Sequence, residues 1–360
     1  MTKNRVGNFF EDFRTGQSFK HGVPRTLSDG DRALYIGLTG SRSALSTAAP
    51  TAMSLGMPGA PLEDLLVFNV VFGKSVPDLS TNAVANLGYA DMRFVAPVFA
   101  GDTISVESEV LGVKENSNGR SGVVYVRSIG RNQRSEPVLS YVRWVMIHKR
   151  DPGTKSPSNG GELPQLPNHV DAAQLSVPTF MHPESVAHAT ACNDLWENYS
   201  VDERIVHPGA MTINDSDHSI AARLYQNTAR PHFDARTMAS QPAGQRLVYG
   251  GHVMSVCRSL SYDGLENGLG IAAINGGSHV NPVFAGDTIR CATQVLESYE
   301  LGESAVGALR LRMIGAKNID SASEIVFPPR GTSRPEHSKQ VVLDLDYTVL
   351  IPKQSKGDHK

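Results

Sequence analysis

The chain has 360 residues, of which 40% are hydrophobic and 19% charged, a globular balance with length for two or three cores, which excludes a disordered chain. Its formal net charge of -2 and 7% aromatics give no basic field for nucleic acid or an acidic membrane, and no stacking groove for single strands. Three cysteines, Cys192, Cys257 and Cys291, form no C-x-x-C pair, so a disulfide framework is excluded and a reducing compartment expected.

Residues 1–10 are polar and lack the apolar run of a secretory signal. No stretch reaches the roughly 20 apolar residues of a spanning helix, and a soluble cytoplasmic protein is expected. An opening segment carries Phe10-Glu11-Asp12-Phe13, and Ser28-Asp29-Gly30-Asp31 precedes a helix of moderate length. The apolar run 65–72 is ambiguous: its β-branched residues favour a strand, its length a buried helix. Pro97-Val98-Phe99-Ala100-Gly101-Asp102-Thr103-Ile104 holds a turn between strand-like runs and reads as a hairpin connection. Residues 123–129 and 140–148 are strand candidates, the second with Tyr141, Arg143, Val145 and Ile147 on one face. Residues 151–166, rich in Pro, Gly, Ser and Lys, read as the start of a linker.

Beyond it the chain repeats itself. The octapeptide recurs intact from Pro282 to Ile289, an offset of 185 residues (97 to 282). Trp196-Glu197-Asn198-Tyr199 and Asn214-Asp215-Ser216-Asp217 copy the earlier segments at an offset of 186 (10 to 196, 28 to 214). Leu247-Val248-Tyr249-Gly250 matches Leu66-Val67-Phe68-Asn69 at 181 (66 to 247), which sets Asn69 opposite Gly250. Val342-Leu343-Asp344-Leu345 resembles Val138-Leu139-Ser140-Tyr141, so the irregular stretch 327–338 is an insertion before the last strand of the second copy. That strand alternates cleanly: Leu343, Leu345, Tyr347, Val349 and Ile351 against Asp344, Asp346 and Thr348. A period this long marks a duplicated domain rather than a solenoid. The expected organisation is a first domain over 1–150, a linker over 151–175, a second domain over 176–354 and a tail over 355–360.

Pro-Val-Phe-x-Gly-Asp-Thr, thirty to forty residues beyond an apolar segment, resembles the MaoC-like dehydratases and (R)-specific enoyl-CoA hydratases. Within that family the chain is most similar to the mesaconyl-C1-CoA hydratases (β-methylmalyl-CoA dehydratases). The segments that carry this are Leu65-Leu66-Val67-Phe68-Asn69-Val70-Val71-Phe72-Gly73-Lys74, Asn82-Ala83-Val84-Ala85-Asn86-Leu87-Gly88-Tyr89, residues 138–146, and Arg223-Leu224-Tyr225-Gln226-Asn227-Thr228-Ala229-Arg230-Pro231-His232-Phe233-Asp234. The likeness runs from about residue 7 to about residue 352. It implies an α+β double hotdog, two antiparallel sheets each wrapped around a long central helix, here over 65–78 and 247–260.

The resemblance also implies a reaction: reversible hydration of mesaconyl-C1-CoA to β-methylmalyl-CoA, in acetyl-CoA assimilation through the ethylmalonyl-CoA pathway or a related autotrophic route. No cofactor is expected, CoA being part of the acyl-CoA substrate. No metal is expected either, since no His/Cys/Asp spacing resembles a zinc site. Neither nucleic acid nor membrane is an expected partner, and association as a homodimer is. Hydrating an enoyl thioester needs a base for water, a proton for the α-carbon and donors for the thioester oxygen.

The family pattern Asp-x-Asn-Pro-x-His falls on Asn227-Thr228-Ala229-Arg230-Pro231-His232. His232 takes the place of the acid/base histidine, and Asn227 stands where the acid is expected. An amide orients water but transfers no proton as an acid does. Either His232 is the sole acid/base and Asn227 positions the water, or a carboxylate from elsewhere, Asp234 or Asp217, supplies the second function. Gly250, 23 residues after Asn227 (227 to 250), corresponds to the glycine that lends its N–H to the thioester oxygen, with Gly251 as the alternative. A glycine at a helix N-terminus admits close approach and offers an unpaired donor. A substrate carboxylate calls for an arginine, and Arg230 and Arg258 are the candidates. In the first half Gly40-Ser41-Arg42-Ser43-Ala44-Leu45-Ser46 occupies the motif position with neither Asp nor His, so one active site per chain is expected.

Plainer roles stand beside these: a loop histidine at 232, a turn residue at 227, close packing at 250–251. His207, His218, His252 and His279 read as surface or hydrogen-bonded histidines, and Asp102 and Asp287 as turn residues. The competing functions are an (R)-specific hydratase for another 2-enoyl-CoA, a hotdog thioesterase, and a non-catalytic acyl-CoA-binding protein.

Overall fold

A computed structural model describes residues 7–154, 162–329, 332 and 335–355. Within the expected linker 155–161, within the expected insertion 330, 331, 333 and 334, and of the expected tail 356–360 lie outside the described residues. The N-terminal half carries β1 (Ser18–Thr26), α1 (Asp29–Thr39), α2 (Ala44–Thr47), α3 (Ala49–Ser54), α4 (Asp64–Leu79), β2 (Ala83–Phe94), β3 (Thr103–Glu115), β4 (Ser121–Arg131) and β5 (Pro137–His148). After α5 (Val186–Thr190) the C-terminal half carries β6 (Arg204–Val206), β7 (Met211–Thr212), α6 (Asp215–Leu224), α7 (Arg230–Phe233), α8 (Ala235–Ala239), α9 (Gly250–Leu260), β8 (Gly270–His279), β9 (Thr288–Glu300), β10 (Val306–Lys317) and β11 (Val341–Pro352). Among the described residues no helix is long and apolar enough to cross a membrane.

The repeated segments fold alike because each carries its own local signal. Phe10–Asp12 and Trp196–Asn198 are both 3-10 turns. Asp31 closes a capping box at the start of α1 by accepting the Ser28 N–H at 2.8 Å. Asp217 does the same for Asn214 at 3.1 Å at the start of α6, so each helix entrance satisfies backbone donors that would otherwise be orphaned. The run 65–72 is helical and belongs to α4. Its side chains are buried almost all round, the condition under which a uniformly apolar segment is stable as a helix enclosed by a curved sheet.

The strands join in the order β1-β3-β4-β5-β2-β8-β11-β10-β9-β6, with β7 also on β9. The two expected sheets are therefore one continuous antiparallel sheet, its halves mirrored about the β2–β8 junction, where Tyr89 faces Gly277 and Arg93 faces Ala273. The central helices α4 and α9 start 186 residues apart (64 to 250) and share one apolar core that includes Leu66, Phe68, Met254 and Cys257.

The octapeptide is not a hairpin. It connects β2 to β3, which β4 and β5 separate, and its copy connects β8 to β9 across β11 and β10. The true hairpins join β3 to β4, β4 to β5, β9 to β10 and β10 to β11. The octapeptide is instead a tie. Gly101 and Gly286, at φ 99° and 96°, turn the chain through the left-handed region that glycine favours. They donate to the carbonyls of Leu27 and Ile213, each at 2.8 Å, which anchors the residue just before each capping box. Asp102 and Asp287 accept the N–H groups of Phe99 (2.8 Å) and Phe284 (2.9 Å) inside the turn. Their duplication is structural, as the sequence suggested.

Candidate active site

The C-terminal motif lies on the chain between α6 and α9. Gln226 has a positive φ of 53° and turns the chain after α6. The turn abuts Gly73 of α4, where a Cβ would stand 1.9 Å from the Tyr225 carbonyl oxygen and 3.2 Å from the Asn227 nitrogen. Only glycine lets the first central helix pack this close to the motif. Asn227 is 1% exposed. Its Oδ1 accepts the Ala229 N–H at 3.1 Å, the local turn bond that asparagine favours. That bond fixes the amide orientation and leaves Nδ2 a donor with no protein acceptor.

Pro231, the second residue of the single turn of α7, places His232 beside residues 247–248, which are extended rather than helical. Leu247 donates its N–H to Pro231 at 2.8 Å, and its carbonyl oxygen accepts Nδ1–H of His232 at 2.8 Å. A carbonyl accepts only, so the proton sits on Nδ1 and Nε2 keeps its lone pair. Burial pushes the His232 pKa down to about 4, the Leu247 carbonyl opposing and the nearby His218 adding to the shift. The ring is a neutral base at pH 7.

The second central helix begins at Gly250, not at residue 247. Leu247 bridges to Phe284 and Val248 donates to Val283 at 2.9 Å, so these residues continue a strand pairing that precludes helix. Gly250 and Gly251 occupy the first turn, where N–H groups have no intrahelical acceptor, and no acidic residue shares that turn. A Cβ on Gly250 would meet the His279 ring at 2.6 Å, and one on Gly251 would meet Asn69 Oδ1 at 2.0 Å. Gly250 faces a cavity; Gly251 packs helix against helix.

That cavity has a volume of about 270 Å³ and brings together Asn227, His232 and Gly250. The N-terminal half supplies part of its wall through Phe72 and Val76 of α4, Tyr89 of β2, and Arg143 and Val145 of β5. Asp234 and Asp217 do not line it. Asp234 caps α8 through Thr237, with its Oδ1 at 3.0 Å from the N–H, and Asp217 is spent on its capping box. The alternative in which one of them acts as second acid is thereby set aside. The carboxylate candidates move as well: Arg230 is exposed on α7, and Arg258, two turns into α9, lines a different cavity beside Glu63 and Asp64. Helix direction explains this, since sequence proximity to Gly250 does not place a side chain on the same helix face.

Among the lining residues that the sequence reading did not name as site members are Tyr89, Arg143, Tyr249 and His279. Arg143 left a signal, the one charge on the apolar face of its strand. His279 is hydrogen-bonded as expected, to the Tyr89 hydroxyl at 3.2 Å, and burial beside His232 pushes its pKa down to about 4. His207 is likewise bonded, to the Asp263 carbonyl (2.7 Å) and the Thr293 hydroxyl (2.8 Å). His218 and His252 are buried instead, each 1% exposed, and no ring nitrogen of His218 nor Nδ1 of His252 has a hydrogen-bond partner.

The offset that set Asn69 opposite Gly250 is also corrected. Helix starts align Asp64 with Gly250, which pairs Asn69 with Ser255 (69 to 255, again 186). These two touch across the axis between the halves, Asn69 Nδ2 donating to Ser255 Oγ at 3.0 Å. The four-residue likeness reflected shared apolar composition, not register. At the helix-start offset Ser41 and Ser46 stand for Asn227 and His232, so the first-half motif position lacks both groups.

The sequence pattern of the mesaconyl-CoA hydratase family matches residues 1–327. The chain is 48% identical over 355 residues to the β-methylmalyl-CoA dehydratase of Chloroflexus aurantiacus, covering 98% of this chain and 99% of that one. It is 47% identical to the mesaconyl-CoA hydratase of Cereibacter sphaeroides, covering 98% and 100%. Among solved structures, a putative MaoC domain protein dehydratase from Chloroflexus aurantiacus superposes with a TM-score of 0.93 at 47% identity, covering 99% of this chain and 100% of that one. A Mycobacterium tuberculosis protein described as a double hotdog shares the fold at a TM-score of 0.75 and 24% identity, over 96% and 99% of the two chains. With its motif, its paired halves and these likenesses in agreement, the chain belongs to the mesaconyl-CoA hydratase family and has the double hotdog fold.

Proposed function

We propose that this chain catalyses the reversible hydration of mesaconyl-C1-CoA (2-methylfumaryl-CoA) to β-methylmalyl-CoA, with His232 as its acid/base. One observation carries the site assignment. His232 commits its only ring proton to the Leu247 carbonyl and so presents a basic Nε2 in the cavity shared with Gly250 and with Asn227, whose Nδ2 has no protein partner.

The steps balance with groups of the chain and the substrate alone. The amide of Asn227 holds a water through its oxygen. Nε2 of His232 takes a proton from that water as its oxygen bonds to the β-carbon. The electron pair of the double bond moves toward the thioester, whose oxygen gains enolate charge at the Gly250 N–H and the positive end of α9. The imidazolium then returns the proton to the α-carbon, and dehydration runs the same path backward. A base with a pKa near 4 is weak but fully unprotonated at neutral pH, and it forms an imidazolium acidic enough to protonate carbon. Among the described residues no Asp or Glu lines the cavity, which speaks against a thioesterase needing a carboxylate beside the thioester. The cytoplasmic location, the place in acetyl-CoA assimilation and the homodimer belong to the same proposal and are supported by sequence likeness and composition.

The test is to incubate the chain with mesaconyl-C1-CoA and with crotonyl-CoA, following enoyl absorbance and free thiol. Loss of absorbance without thiol, with a fall of about 10³-fold or more in His232→Ala, is the expected result. Thiol release would mark a thioesterase, inertness an acyl-CoA-binding protein, and full activity of His232→Ala would remove the site assignment.

A further inference from the structure

Arg143, on β5, is the only cationic residue among the described residues that line the cavity, in a wall without acids. It is 0% exposed. Its Nη2 donates to the Ser75 hydroxyl at 2.9 Å, and its Cζ lies 4.1 Å above the Phe72 ring. Its Nε and Nη1 have no hydrogen-bond partner. No ion pair involving Arg143 is present among the described residues, although nearly every other buried or half-buried arginine of the sheet, such as Arg310 and Arg312, is paired with a carboxylate. Burying a guanidinium with two donor groups unpaired and no counter-charge is costly. A bound anion would supply both the missing acceptors and the counter-charge.

We infer that Arg143 receives the free carboxylate of the acyl group and selects monothioesters of unsaturated dicarboxylic acids with a four-carbon main chain, such as 2-methylfumarate, over plain enoyl-CoAs. The inference rests on the hydratase reading and adds the group that recognises the substrate class. Its place fits the chemistry. His232 and Arg143 line the same cavity, and the rings of Tyr249, 5.5 Å from the imidazole, and of Phe72, beneath the guanidinium, form the wall beside them. In 2-methylfumaryl-CoA the carboxylate is attached to the β-carbon, the carbon that water attacks. Pairing it at Arg143 therefore fixes the reacting carbon relative to Nε2 and Gly250, and a planar fork matches a carboxylate in orientation as well as charge. An acyl chain ending in methyl would leave the guanidinium desolvated and unpaired, the situation in which a polar site rejects an analogue most strongly.

Two measurements test it. The first needs no turnover: succinyl-CoA and butyryl-CoA, which differ by a carboxylate for a methyl group, are titrated into the full chain calorimetrically. Wild type and His232→Ala are expected to bind succinyl-CoA at least about tenfold more tightly, and Arg143→Met to lose that preference while binding butyryl-CoA as before. The second compares kcat/KM on mesaconyl-C1-CoA and on (E)-2-methylbut-2-enoyl-CoA, its methyl analogue. Arg143→Met should lose about 10³-fold on the first and keep or gain on the second, with Arg143→Lys between. Retained activity on the methyl analogue shows that the variant folds. A succinyl preference that survives in Arg143→Met, or equal losses on both substrates, overturns the inference and leaves the hydratase reading standing. Binding of neither compound by wild type removes that reading, and this inference with it.

Discussion

The two central helices begin at corresponding points of the fold with opposite chemistry. At the start of α4, Glu63 and Asp64 are half-buried. Ser41 donates to Glu63, and Asp64 accepts the Ile271 N–H at 2.8 Å. Burial pushes both carboxyls up, Asp64 to about 7. At the start of α9 stand Tyr249, Gly250 and Gly251, with no acid in the turn. A helix N-terminus draws negative charge. In the N-terminal half two acids stand at that point instead of glycines, and the cavity there shrinks to about 70 Å³ against about 270 Å³ in the other half. One copy is thus silent for two reasons: serines replace the motif amide and imidazole, and the acids Glu63 and Asp64 line the cavity where the other half has Tyr249 and Gly250. Only one site of a duplicated pair needs to be kept open, because the silent half still supplies wall to the live one through Phe72, Tyr89 and Arg143.

The strongest way to break this comparison is to remove the corresponding residues in turn. His232→Ala should lower hydration by about 10³-fold or more, and Ser46→Ala should leave it unchanged, both read as loss of enoyl absorbance. Equal effects would mean that the halves are not divided as described. A smaller effect, about 10²-fold, is expected for Gly250→Ala. Its Cβ would stand 2.6 Å from the His279 ring, so the ring or the helix start must shift and the donor with it. The loss should fall on kcat more than on KM, because the N–H meets its full negative charge only as the reaction proceeds.

The candidate site was legible through the family resemblance because the pattern that carries it is local. The family pattern falls on Asn227 to His232 and on Gly250, residues close together in the chain, and the cavity brings these three together. Register across the halves was not. Leu66-Val67-Phe68-Asn69 and Leu247-Val248-Tyr249-Gly250 resemble each other in composition, yet the first lies inside a helix and the second before one. What decides this is the pairing of Leu247 with Phe284 and of Val248 with Val283, partners that local pattern does not reveal. The octapeptide misled for the same reason: a turn between strands shows that they are consecutive, not that they are neighbours. Arg143 was visible on the inner face of its strand, but its lack of a counter-charge is a property of packing. Arg230 and Arg258 were nearer in sequence to the motif and point elsewhere.

The halves should also differ in the sign of their response to pH. Asp64 has a folded pKa of about 7 against an ordinary value of 3.8. The folded chain holds this proton longer than the unfolded one, so the contribution is fully present below about pH 4 and is lost as pH rises toward 7. Asp64→Asn keeps an acceptor for the Ile271 N–H and cannot ionise. Urea melts should show the variant more stable than wild type at pH 8 by up to about 4 kcal/mol, with little difference at pH 4 and unchanged kcat/KM. A variant no more stable at pH 8 would mean that the carboxylate is not held at a cost, and that the N-terminal helix start is not filled in the way described.

In the C-terminal half the groups run the other way, and His252 isolates the effect because it does not line the cavity. It sits on α9, with the Tyr225 ring at 6.4 Å, His218 and Asp217 within electrostatic reach, and its Nδ1 unpaired. Burial pushes its pKa down to about 4, the neighbouring His218 adding to this and Asp217 opposing it. The unfolded chain therefore takes up this proton near pH 6.5 and the folded chain only near 4. Stability present above about 6.5 is lost as pH falls through that window. His232 and His279 add to the same slope. Replacing His252 by glutamine removes one proton from the difference. Whatever the variant costs in packing at pH 8, its additional loss between pH 6.5 and 4 should be smaller than that of wild type by about 2–3 kcal/mol. The comparison of slopes cancels the packing term, which is common to both pH values. An unchanged slope would show that His252 can accept its proton in the folded protein, with Asp217 outweighing burial.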